Sequence, residues 1–128
     1  MLAPILTGAV LGLLFALVAH RRGDFRLFAL GLVVAAAVYL ALAIPNGSGG
    51  WLALEAAGLL IFTASAGMGL RAPGWLGAGW LAHAGWDVGL HLDRAQSIVG
   101  PWYPLGCVGF DLIVAGFLFA AAVSPARK

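Results

Sequence analysis

A chain of 128 residues that is 62% hydrophobic and only 9% charged is not a soluble domain, in which about a quarter of residues carry charge. Its length holds one compact unit, residues 1–128, with no room for a second domain, and a mean hydropathy of +1.01 puts that unit in a membrane. The net charge of +2 does not mark a nucleic-acid binder, because the basic residues sit at the ends of apolar runs, where they set orientation; the lone Cys107 excludes an intrachain disulfide.

A spanning helix needs about 20 mostly apolar residues. Five segments qualify, at about 2–20, 27–44, 51–70, 75–92 and 105–123. The first has no basic residue before it and is followed by Arg21 and Arg22. That order suits a retained span with its N-terminus outside better than a cleaved signal. It carries Gly8 and Gly12 at a spacing that lets helices approach closely in lipid. The turn "RRGDFR" follows, flanked by His20 and Asp24, which we place at headgroup level. The second segment contains Tyr39 and ends in the uncharged "PNGSGG". The third carries Glu55 near its start, with Thr63 and Ser65 well away from it. After "RAPG" comes the most polar segment, the fourth, with "WLAHAGWDVGLHLD". The loop "DRAQSIVGPWYP" leads to the fifth, which holds Cys107 and Asp111. Each break contains Gly or Pro, as turns between helices do, and nothing alternates with the period of two that a barrel strand requires. The expectation is an all-α bundle of about five transmembrane helices.

With the N-terminus outside, Arg21, Arg22, Arg26, Arg71, Arg127 and Lys128 fall inside and Arg94 alone outside. That bias predicts a multi-pass protein of the inner (cytoplasmic) membrane with its C-terminus in the cytoplasm.

An ionisable side chain at mid-membrane costs about 2.5–3.5 kcal/mol and normally faces the bundle interior. At 1.5 Å per residue, Tyr39, Glu55, Asp87 and Asp111 lie roughly 6–9 Å below the outer boundary, with His91 near it and His83 about 13 Å down. On the fourth helix, Trp80, His83, Asp87 and His91 share less than a quarter-turn, opposite Ala78, Ala82, Gly85 and Gly89. Cys107 stacks one turn outside Asp111. These placements predict an outward-facing pocket lined by Tyr39, Trp80, Trp86 and Cys107. Trp102 and Tyr103, with Asp93 and Arg94, lie at its mouth, where aromatic residues also form interface belts.

Such a pocket suits a divalent metal ion such as zinc, with Asp87, His91, Glu55 and Asp111 as ligands and His83 as a deeper proton acceptor. His83 and His91, about 12 Å apart along the axis, cannot share one ion. The same groups, Asp87, Asp111, Glu55 and His83, can carry out acid–base catalysis. The site would then belong to a membrane-embedded hydrolase, or to a metal-free cyclase or isomerase acting on an isoprenoid or another lipid-like molecule. An ion or proton transporter would use these residues as a relay. A structural subunit would use them as interhelical hydrogen bonds, and the glycine faces would also suit a homo-oligomer. There is no GxSxG, Walker A or HExxH sequence.

From Trp51 to Asp111 the chain resembles a family of small bacterial membrane proteins classed only as a domain of unknown function. The resemblance rests on Glu55, on "GWLAHAGWDVGLH" and on "PWYPLGCVGFD", and it implies no activity. A looser likeness to intramembrane metal-dependent hydrolases fails on detail: the spans hold only two interior histidines and no well-placed serine.

Overall fold

A computed structural model describes residues 2–46, 48–92 and 99–124. Asp93 and Arg94, expected at the pocket mouth, and Arg127 and Lys128, used for orientation, lie outside the described residues. The described chain is helical throughout its regular structure: α1 (Leu2–His20), α2 (Arg26–Asn46), α3 (Gly49–Gly69), α4 (Pro73–Trp86) and α5 (Trp102–Val123). Past Trp86 the helical path continues as a π-helical turn, Asp87–His91. Helices α1, α2, α3 and α5 are long and apolar enough to cross a membrane. The fourth expected span is a 14-residue α-helix extended by that wider turn.

The breaks fall where the chain chemistry requires them. Gly23 adopts φ +74° in the turn between α1 and α2, a conformation that costs most residues but not glycine. Asp24 Oδ1 accepts the backbone N–H of Arg26 at 3.0 Å, satisfying one of the donors left open at the start of α2. Pro73 begins α4, and Pro104 lies in the first turn of α5, where a missing N–H loses no helical bond. Arg21, Arg22, Arg26 and Arg71 all gather at one end of the bundle, called here the arginine end.

Glycine sets how the helices meet. The buried face of α1 is Gly8, Gly12, Ala16 and Ala19, and it lies directly on α5. A Cβ at Gly8 would run into the backbone of Gly106. One at Gly12 would come within 2.7 Å of the Phe110 carbonyl oxygen, and one at Gly109 would strike the carbonyl of Ile5. The small-residue spacing expected to bring helices close therefore does so at this seam. The other such face does not: Ala78, Ala82 and Gly85 of α4 and Gly89 of the π turn are exposed, and nothing stands within 4 Å of a Cβ at Gly85 or Gly89.

Around the bundle, α1 packs on α5, α5 on α4, α4 on α3 and α3 on α2, while α1 and α2 barely touch. Toward the arginine end the interior is filled by Phe28, Leu32, Phe62, Leu76, Trp80 and Leu118. The indole N–H of Trp80 donates to the carbonyl oxygen of Phe28 at 3.1 Å, so the largest core side chain leaves no buried donor open.

The seam makes a direct prediction for thermal unfolding in detergent. Gly8→Ala forces α1 off α5 and lowers stability by about 1–3 kcal/mol. Gly85→Ala leaves stability unchanged or raises it by up to about 1 kcal/mol. Equal losses at both positions would contradict this packing.

Candidate functional site

Five ionisable side chains occupy the half of the bundle remote from Arg21, Arg22, Arg26 and Arg71: Glu55, His83, Asp87, His91 and Asp111, each no more than 2% exposed. All five face inward, as the sequence requires. They form two tiers.

The tier nearer the arginine end joins α4 to α5. His83 Nδ1 lies 2.7 Å from Asp111 Oδ2 and 3.6 Å from Asp87 Oδ2. One ligand atom from each of these residues falls within 4.8 Å of the others. Tyr39 directs its hydroxyl at Asp87 from α2. Even so, neither that hydroxyl, nor either Asp87 oxygen, nor His83 Nε2 completes a well-formed hydrogen bond among the described residues. Buried polar atoms in that state call for an explanation, and an ion or ligand is one of the standard ones. Phe62 packs its ring edge-on to His83, with centroids 4.9 Å apart, and Trp80 closes the core one turn below.

Asp111 reaches His83 because α5 begins at Trp102 rather than near residue 105. Three extra residues place Asp111 about 4.5 Å deeper than expected, level with His83. His83 is thus a direct partner of the aspartates rather than a group behind them.

The second tier joins the π turn to α3. His91 Nε2 lies 2.7 Å from Glu55 Oε1, and the Trp86 indole N–H donates to Glu55 Oε2 at 3.2 Å. The His91 ring is held between Tyr39, stacked at 3.9 Å, and Trp51 at 5.4 Å. The π turn makes this possible. It advances side chains by less than the α-helical angle of about 100° per residue, so His91 swings back over His83 and Asp87 instead of drifting off their face. Wide turns of this kind recur at functional sites.

The expected four-ligand set is accordingly divided. The group able to hold an ion among the described residues is His83, Asp87 and Asp111; Glu55 and His91 face each other. Of the expected pocket residues, Tyr39 touches both tiers, Trp86 holds Glu55, and Trp80 is core. Cys107 lies beside the hydroxyls of Tyr103 and Tyr39. Trp102, mostly exposed, rests edge-on against Tyr103. Sequence reasoning missed Trp51 and Phe62. Trp51 was findable, since it stands four residues before Glu55 and so shares its face; Phe62 carried no signal apart from being apolar. Ser65, expected to lie away from the acids, donates to the Trp75 carbonyl at 3.4 Å near the arginine end.

Residues 1–124 match a family model described as "Family of unknown function (DUF6010)". The chain belongs to that family. The match extends beyond the Trp51–Asp111 region in both directions and takes in α1, whose glycines seat it on α5. No curated protein and no solved structure matches the chain.

The upper tier predicts energetic coupling. In a double-mutant cycle of Glu55→Gln and His91→Gln, read by thermal or denaturant unfolding, the interaction term should be about 1–3 kcal/mol. Additivity within about 0.5 kcal/mol would mean that the two side chains do not act as a pair.

Proposed function

We propose that this protein is a multi-pass inner-membrane protein in which His83, Asp87 and Asp111 hold a divalent metal ion at a hydrolytic site. The non-arginine half of the bundle would face away from the cytoplasm. The observation that carries the reading is the buried meeting of these three ligands from α4, the π turn and α5.

Charge balance supports it. Apart from Arg26 at the first position of α2, no Lys or Arg among the described residues lies in a helix, and the Arg26 side chain is 85% exposed beside Asp24. Among the described residues two aspartates therefore share one imidazole, with no Lys or Arg beside them to compensate their charge. An uncompensated charge in a low-dielectric interior is costly, whereas a dication offsets two carboxylates. One imidazole and two carboxylates suit zinc or manganese. Three protein ligands leave a coordination position open, as in catalytic rather than structural sites. Bound there, such an ion supplies Lewis acidity and makes water a nucleophile near neutral pH.

The chain's own residues set the rest. Asp111 fixes the His83 ring through the 2.7 Å contact. Tyr39 presents a hydroxyl to Asp87 and can relay a proton beside the open position. Glu55 and His91 position the π turn, and through it Asp87. On the arginine side of His83 the interior is packed with Leu32, Phe62, Leu76 and Trp80, which favours a site reached from one side over a relay across the membrane. The short His83–Asp111 contact favours a second reading, a metal-free acid–base centre on the same residues.

Elemental analysis of the purified protein separates the two. The metal reading predicts close to one zinc or manganese per chain. It falls more than tenfold in Asp87→Asn and in Asp111→Asn, and is retained in His91→Gln. Metal-free wild-type protein, or full occupancy in both aspartate variants, would overturn it.

A further inference from the structure

Because α1 lies on α5 and hardly touches α2, the bundle is not closed between its first two helices. No Cα of α2 comes within 8 Å of one in α5 among the described residues. The gap is a cleft of about 510 Å³, within the range of small-molecule sites. Leu11 of α1, Ala35 of α2 and Phe110 of α5 wall it with apolar surface. Its polar lining is Thr7 of α1 with Tyr103, Cys107 and Asp111 of α5. Asp111 is 1% exposed and is also the partner of His83, so the cleft abuts a residue of the ligand group. Below it, toward the arginine end, the rings of Phe15, Trp80 and Phe110 pack together and close it off.

We infer that this cleft takes a single-chain lipid with a neutral hydrogen-bonding head, an alcohol, amide or ester, which enters sideways from the bilayer between α1 and α2 and places its head at Asp111. The inference rests on the site reading above and supplies its substrate class.

Three observations fix the occupant. The mouth lies between helices long and apolar enough to cross a membrane, and the neighbouring outward side chains of α1, Leu6, Val10 and Leu14, are exposed and apolar. The cleft therefore opens onto hydrocarbon rather than water. Its volume decides the number of chains. A methylene fills about the same space as a water in the liquid, ~30 Å³, so the cleft of about 510 Å³ holds about 17 such groups, the size of one chain. The head is decided by charge. Among the described residues no Lys or Arg lines the cleft to receive an anionic head, while a hydroxyl or carbonyl oxygen finds Tyr103, Cys107 and Asp111.

The test uses the purified full-length chain in phosphatidylcholine vesicles with a photoactivatable sixteen-carbon alcohol, cross-linked sites being mapped by mass spectrometry. The expected label is saturable, falls on the cleft-facing residues of α1, α2 and α5, and drops at least fivefold with excess unlabelled hexadecanol. A Cβ at Gly106 meets nothing closer than 3.7 Å, and Gly106 lines the cleft, so Gly106→Leu directs new bulk into it. It should cut the label at least fivefold while keeping metal content and unfolding temperature. Ala35→Phe fills the same space from α2 and decides the matter if the first variant does not fold. Labelling that does not saturate and spreads over the outward faces of α1 and α3, or wild-type labelling in both variants, overturns the inference. Bound metal without saturable labelling sinks the cleft and leaves the metal site standing; saturable labelling without metal does the reverse.

Discussion

The structure depends on one electrostatic constraint: three buried carboxylates in a bundle whose interior, among the described residues, contains no lysine or arginine. Glu55, Asp87 and Asp111 are each no more than 2% exposed. In such surroundings an ionised group must find a partner, release its charge or remain in contact with water. The bundle supplies two imidazoles. His91 faces Glu55, which the Trp86 N–H also serves. His83 must answer two aspartates at once. The imbalance is local to the α4–α5 tier, and every functional reading of the molecule follows from what makes it good.

The backbone is arranged to sustain that imbalance. Placing Asp111 against His83 requires α5 to pack closely on α4, and α1 supports α5 from the other side along a seam where glycines meet carbonyls. Committing α1 to α5 leaves a cleft beside α2. The π turn then keeps His91 over the same face as Asp87 and lets Tyr39 reach both tiers. Seam, cleft and wide turn are thus parts of one solution, in which the acidic cluster sits toward one end of the bundle while a cleft opens beside α2.

Much of this was legible in the sequence. Apolar runs broken by Gly and Pro gave five helices, and counting residues from their ends put Tyr39, Glu55, Asp87 and Asp111 in one half of the bundle. The burial of Trp80, His83, Asp87 and His91 followed from helical spacing. The finer pairing was not legible. It turned on α5 starting a few residues early at Trp102, which shifted Asp111 to the level of His83, and helix starts are poorly fixed by composition around Gly and Pro. The π turn has no sequence rule of its own. Nor could the sequence distinguish which small-residue face packs, because lipid and protein interior are equally apolar and hydrophobic periodicity loses its meaning. Gly8 and Gly12 turned inward, whereas Gly85 and Gly89 turned out.

The central claim is that Asp87 and Asp111 are compensated by a cation bound at His83, and it is tested most directly by thermal unfolding of chelator-treated protein titrated with zinc or manganese. The account predicts a midpoint that rises with free metal, by the equivalent of about 2.7 kcal/mol at a hundredfold excess over the dissociation constant. Asp111→Asn should unfold at one temperature whatever the metal concentration. A wild-type midpoint indifferent to divalent ions, or an undiminished metal response in Asp111→Asn, would contradict it.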